Sequence, residues 1–164
     1  MDDRFESIDA GNWGYEIQVC ALRCDSRQLL TILQTGGFRR GQFDWTTSDP
    51  KNAFVDTEGL HIVPTLTTES TNITGTQLLD GYSLNITDTG GNGSCTSSDM
   101  TMCSIRSNHT LGHILPPVRS ARLTTKGKKS IKYGRVEVVA KMPKGDWLWP
   151  AICAFLISSL WHMS

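Results

Sequence analysis

Alternation of apolar and polar residues dominates this chain of 164 residues. Over residues 13–19, Trp13, Tyr15, Ile17 and Val19 share one face of an extended segment, while Gly14, Glu16 and Gln18 share the other. That is the period of a strand, whose successive side chains point to opposite sides. Ala53-Phe54-Val55, a turn at Asp56-Thr57-Glu58-Gly59, then Leu60-His61-Ile62-Val63 read as a hairpin. Tyr82, Leu84 and Ile86 alternate again. Residues 121–125 read as a short strand, 126–129 as a turn, and 133–142 as the clearest strand of all, with Val136, Val138, Ala140 and Met142 facing one way. Pro143-Lys144-Gly145-Asp146 ends it. Short strands separated by Gly, Pro and Asn turns predict an all-β sandwich or barrel. No internal repeat occurs, and no linker is expected to divide the chain into domains.

Two segments break the alternation. Residues 20–35, CALRCDSRQLLTILQT, place Leu22, Leu29 and Leu33 at helical offsets. The tail, residues 153–164, is apolar without a clear period. The most apolar stretch, 147–161, contains Pro150 and falls short of the ~20 residues that span a bilayer, so no membrane association is expected. The first residues, MDDRFESID, are acidic and lack an apolar run, so no signal peptide is predicted there.

Composition narrows the classes. Apolar residues at 38% and charged residues at 20% exclude a disordered tail and a membrane bundle. Lys+Arg and Asp+Glu both number 16, which disfavours a globally basic nucleic-acid binder. The charges are unevenly spread, with nine Lys/Arg against Glu137 alone over residues 119–144. A nucleic-acid groove would interleave stacking aromatics there, and only Tyr133 qualifies. The stretch therefore reads as a solvated sheet face, and no nucleic-acid partner is expected.

Four N-x-[ST] sequons begin at Asn72, Asn85, Asn92 and Asn108. Clustered in a Gly/Thr-rich region, they read as glycan acceptors in loops of a secreted chain. Cys95 and Cys103 flank a polar segment and suit a loop-closing disulfide in an oxidising compartment. Cys20, Cys24 and Cys153 lack such a setting, and no zinc spacing occurs, so no metal is expected. His109 and His113 read as loop histidines.

Trp147 and Trp149, two apart after a Gly-Asp turn, are either stacking platforms for sugar rings or sandwich core. The surrounding block, PVRSARLTTKGKKSIKYGRVEVVAKMPKGDWLWPAI, resembles glycoside hydrolase family 16, the laminarinase and β-1,3(4)-glucanase type, especially its fungal members. GQFDWTTSDPKNAFVDTEGLHIVPT and DGYSLNIT resemble the same proteins. The resemblance implies a concanavalin-like β-jelly roll over residues 1–152, with 20–35 a foreign insert and 153–164 a foreign tail. It further implies a secreted monomer that needs no cofactor and acts on β-1,3- or mixed β-1,3/1,4-glucan. Arg122, in S-A-R-L, matches a position that reaches into the glycan cleft, with Trp149 and then Trp147 as stacking candidates.

The departures from that family shape the expectation. Its retaining hydrolases carry Glu-x-Asp-x-x-Glu on a strand, with two carboxylates close enough for a covalent intermediate. No such motif occurs in these residues, and no Asp or Glu follows Asp146. The sequence thus predicts a hydrolase by descent that is inactive as given, folds poorly and is an N-terminal portion of the jelly roll. A non-catalytic β-glucan-binding module is the alternative, and a product of intron read-through, with both foreign segments translated introns, the third reading.

Overall fold

Pairing partners, as much as side-chain pattern, decide where this chain forms strands. The computed structural model describes residues 3–19, 43–146, 148 and 150–153, which fall into two compact units, Met1–Ser130 and Ile131–Ser164. The insert expected at 20–35 and nearly all of the tail lie outside the described residues. The first unit is all-β, consistent with a jelly-roll sandwich. Its described strands are β1 (Gly14–Tyr15), β2 (Gln18–Val19), β3 (Asp44–Thr46), β4 (Ala53–Asp56), β5 (Gly59–Ile62), β6 (Thr65–Leu66), β7 (Asp80–Asn85), β8 (Ser104–Asn108), β9 (Val118–Ser120) and β10 (Leu123–Thr124). Two short helices, α1 (Thr67–Ser70) and α2 (Gly75–Leu79), interrupt the succession.

The single strand expected over 13–19 is two short ones. β1 pairs antiparallel with β10, Gly14 opposite Thr124 and Tyr15 opposite Leu123, whereas β2 pairs with β3, Val19 opposite Trp45. Between them Ile17 takes a third partner. The Thr96 N–H donates to Ile17 O at 2.9 Å, and the Ile17 N–H donates to Thr96 Oγ1 at 2.7 Å. The alternation itself survives, since Ile17 and Val19 are buried and Tyr15 packs against the core.

β2, β3, β9 and β6 form a four-stranded sheet in that order. β9 runs parallel to β3 and antiparallel to β6. The register sets Val19, Trp45, Arg119 and Thr65 side by side in one row. The β4–β5 hairpin stands where the pattern puts it, from Ala53 opposite Ile62 to Asp56 opposite Gly59. In its turn the Glu58 N–H donates to Asp56 Oδ1 at 2.8 Å, and Gly59 takes a φ of +113° that a Cβ would strain.

β7 and β8 pair across a bulge. Asp80 faces Asn108 but Ser83 faces Arg106, so β7 carries one extra residue. The buried Ser107 hydroxyl repairs the ladder, accepting the Tyr82 N–H at 2.9 Å and donating to Gln77 O at 2.7 Å. α2 was not expected from alternation, yet its start is written locally in Thr74-Gly75-Thr76-Gln77. Thr74 Oγ1 accepts the Gln77 N–H at 3.3 Å, and Gln77 Oε1 accepts the Thr74 N–H at 2.9 Å. This reciprocal cap satisfies two donors that a helix start leaves over, and it presents Leu78 to the core.

The core gathers Ile17, Val19, Ile73, Leu78, Leu84, Ile86, Cys103 and Leu115. Cys95 and Cys103 are joined by a disulfide, and the bridge straddles Ile86. The Ile86 N–H donates to Cys103 O at 2.8 Å while the Cys95 N–H donates to Ile86 O at 2.9 Å.

The second unit corrects an expectation. Residues 133–142, the clearest strand by pattern, form no strand. Their side chains are exposed, Tyr133 by 87% and Val139 by 99%. A strand is a set of backbone hydrogen bonds to a neighbour, and alternation without that neighbour does not make one. The local contacts are an exposed Arg135–Glu137 ion pair and Lys132 over the Tyr133 ring.

Candidate functional site

The polar face of the β1–β10 pair holds the sequence-predicted Arg122. Just beyond the strand register, the Glu16 N–H donates to Arg122 O at 3.0 Å, which sets the two residues opposite each other. Directly opposed residues on antiparallel strands send their side chains to the same face. There Arg122 Nε meets Glu16 Oε2 at 2.6 Å, with side chains 28% and 27% exposed. Tyr15 and Leu123 take the other face, and burial pushes the Tyr15 hydroxyl pKa above its usual value. Lys128 crosses the polar face beside Gly14, where an added Cβ would stand 3.2 Å from Lys128 Cε. Its ammonium donates to Ala10 O at 2.6 Å. One face thus displays a guanidinium, a carboxylate and an ammonium, each partly open to water. Such an array can accept from and donate to the hydroxyls of a sugar.

Three residues earlier the same basic run does the opposite. Arg119, on β9, is 7% exposed, which corrects the expectation of a solvated face over 119–144. Its guanidinium meets Asp49 Oδ2 at 3.0 Å, Thr47 Oγ1 at 3.3 Å and Ser70 O at 3.3 Å, and it lies 4.7 Å from the Trp45 ring centroid. The Lys51 backbone N–H, and after it the Arg119 guanidinium, hold the Asp49 carboxyl below the usual range. Beneath it the fully buried Asn52 amide donates to Val63 O and Thr65 Oγ1, each at 2.9 Å, and to Arg119 O at 3.3 Å. This hub ties the hairpin to the four-stranded sheet. The neighbours explain the two fates: Arg119 lies on β9 between β3 and β6 in the four-stranded sheet, whereas Arg122, after the chain has changed sheets, stands opposite Glu16.

An exposed group stands on the hairpin. Phe54 and His61 stack at 4.8 Å between centroids and 5° between planes. His61 Nε2 lies 2.8 Å from Asp56 Oδ1. The Glu58 N–H, and then His61, hold Asp56 below the usual carboxylate range.

Of the remaining sequence-predicted residues, Trp147 and Trp149 lie outside the described residues. Asn72 and Asn92 are exposed, Asn85 and Asn108 half-buried. Glu16 is the functional candidate that sequence reasoning passed over. Its polar position in the alternation was visible, but its pairing with Arg122 required knowing that β1 meets β10. Among the described residues no group of three or more His, Cys, Asp and Glu converges on a metal site.

No protein-family model matches the chain, and no solved structure matches it. Similarity to curated proteins is clear. The chain is 32% identical over 153 residues to a beta-1,3-glucan-binding protein of Penaeus monodon, covering 93% of this chain and 36% of that protein. It is 64% identical over 39 residues to a beta-1,3-glucan-binding protein of Tenebrio molitor, covering 24% of this chain and 8% of that one. It is 39% identical over 101 residues to Gram-negative bacteria-binding protein 2 of Drosophila melanogaster, covering 61% of this chain and 19% of that one. The chain therefore spans little more than a third, at most, of the length of these relatives.

Proposed function

We propose that this chain is part of a secreted β-1,3-glucan-binding protein and binds the polysaccharide without cleaving it. The carrying observation is the match over 93% of the chain to a relative named for β-1,3-glucan binding. Descent from glycoside hydrolase family 16 remains part of the reading, because the blocks around Arg122 resemble that family. A hydrolytic role gains no support from these relatives, which are named for binding, and cleavage through a covalent intermediate would need paired carboxylates. Binding needs less: an aromatic face for the apolar side of the pyranose and fixed polar groups for its hydroxyls. Arg122, oriented by Glu16 at 2.6 Å, supplies the second. Trp149 and Trp147 are the proposed suppliers of the first.

The test is laminarin binding by the full chain, measured by calorimetry or affinity electrophoresis, beside a reducing-sugar assay. Retention by laminarin with no sugar released is the expected result. Arg122→Ala should weaken binding by about 1–3 kcal/mol, the usual loss when a charged hydrogen-bond partner is removed. Wild-type affinity in a folded Arg122→Ala protein would remove that residue from the site. Sugar release above a boiled control would restore the hydrolase.

A further inference from the structure

The four sequons are not equivalent in the folded chain, and we infer that Asn92 and Asn72 carry N-linked glycan while Asn85 is a structural asparagine that stays bare. The inference rests on the secretory part of the proposed function.

Asn85 closes β7 and organises the loop after it. Its Oδ1 accepts both the Thr87 N–H at 2.9 Å and the Thr87 hydroxyl at 2.7 Å, and its Nδ2 donates to Thr89 O at 3.3 Å. Both ends of the amide are thus engaged by the loop. The loop folds back over it closely. A Cβ on Gly90 would stand 3.6 Å from Asn85 Nδ2, and one on Gly91 would meet Thr87 O at 2.6 Å and Asn85 O at 2.7 Å. Glycosylation replaces one of the two hydrogens on Nδ2 with a sugar ring. In place of the one that meets Thr89 O, the ring would need the space of residues 89–91; in place of the other, it would still be attached to a nitrogen crowded by Thr89 O and Gly90. Opening that loop would disturb more than itself. The Gly93 N–H donates to Thr87 O at 3.0 Å, and the Cys95 N–H donates to Ile86 O at 2.9 Å, beside the disulfide and the buried Ile86.

Asn92 has the same local chemistry without the cover. Its Oδ1 accepts the Ser94 N–H at 3.1 Å and the Ser94 hydroxyl at 2.7 Å, and the residue is exposed. A glycosylated amide keeps its oxygen, so both bonds persist while Nδ2 carries the sugar. Asn72 is exposed in the bend before α2. The cap that follows it is made by Thr74 and Gln77 rather than by the asparagine. Asn108 uses its oxygen as a cap for the Leu111 N–H at 3.1 Å, an arrangement a glycan on the nitrogen leaves in place.

The experiment directs the full chain into a eukaryotic secretory host and maps glycopeptides of the disulfide-bonded product, with enzymatic deglycosylation in heavy-oxygen water marking each occupied asparagine. Label at Asn92 and Asn72 and none at Asn85 is the expected result. A second variant separates geometry from enzyme preference. Cys103→Ser removes the staple beside the loop and should make Asn85 glycosylated. Label at Asn85 equal to that at Asn92 in the disulfide-bonded wild type overturns the inference, as does an Asn85 that stays bare in Cys103→Ser. Secreted protein without label at any of the four overturns the inference while leaving laminarin binding, measured separately, as the judge of the proposed function.

Discussion

Two segments of this chain carry nearly the same pattern and meet different ends. Residues 13–19 and 133–142 both alternate apolar with polar side chains. The first becomes β1 and β2, with Val19 2% exposed; the second forms no strand, with Val139 99% exposed. The difference lies in the backbone. Over 13–19, three separate stretches of chain, at β10, Thr96 and β3, offer hydrogen bonds in turn. Over 133–142 no ladder forms among the described residues. Side-chain period tells which face a strand would bury, whereas strand formation depends on a partner that is remote in sequence.

The comparison is sharpest at one substitution made twice. Val19→Asp should destabilise the fold by about 4 kcal/mol or more, because it buries a charge among apolar neighbours. Val139→Asp should change stability by no more than about 0.5 kcal/mol, as for an exposed site. Urea melts of both variants check this, and equal effects would mean that 133–142 is packed as well as 13–19. Next in size are the two arginines. Arg119→Ala should cost about 3 kcal/mol, the low end for breaking a buried ion pair, since Asp49 keeps some contact with water. Arg122→Ala, which breaks a half-exposed pair, should cost about 0–1 kcal/mol in the same melts.

Smaller effects test elements that need no distant partner. Thr74→Ala removes the α2 cap and should cost about 1 kcal/mol, read as a shift in urea midpoint at unchanged slope. Acid provides the last test. Asp49, Asp56 and Asp99 all have pKa values lowered in the folded chain, the last mainly by the Thr101 hydroxyl and N–H. A lowered carboxylate pKa contributes stability above its unfolded value, near 3.9 in ordinary peptides, and that contribution is lost as pH falls through the folded values. As far as these three carboxylates decide it, stability should therefore be flat between about pH 5 and neutrality and decline progressively below about pH 4. A melting temperature unchanged between pH 6 and pH 3 would contradict these three contacts.

What the sequence made legible follows the same division. The β4–β5 hairpin was readable because its turn chemistry and both strands are contiguous. The burial of Leu84 and Ile86 was readable from period alone. The capping box at Thr74 is equally local, written between Thr74 and Gln77, and is independent of the strand period. The splitting of 13–19, the Glu16–Arg122 pair and the burial of Arg119 were not readable, because each depends on which strand lies alongside. Arg122 was marked by resemblance rather than by spacing, and its carboxylate partner emerged only from the register of β1 on β10.

The placement of β9 bears on how the chain is assembled. β9 sits between β3 and β6 in the four-stranded sheet, yet it is the last of the four to be synthesised. At about 5–20 residues per second of translation, β3 waits on the order of several seconds for its neighbour. The β4–β5 hairpin can zip as it emerges, while β3 must await a closure over more than seventy residues to meet β9. Contacts so far apart in sequence slow folding. The step that sets the rate should therefore be one of these long closures, and nascent chains ending before Val118 should lack the β3–β9–β6 pairing that completes the four-stranded sheet.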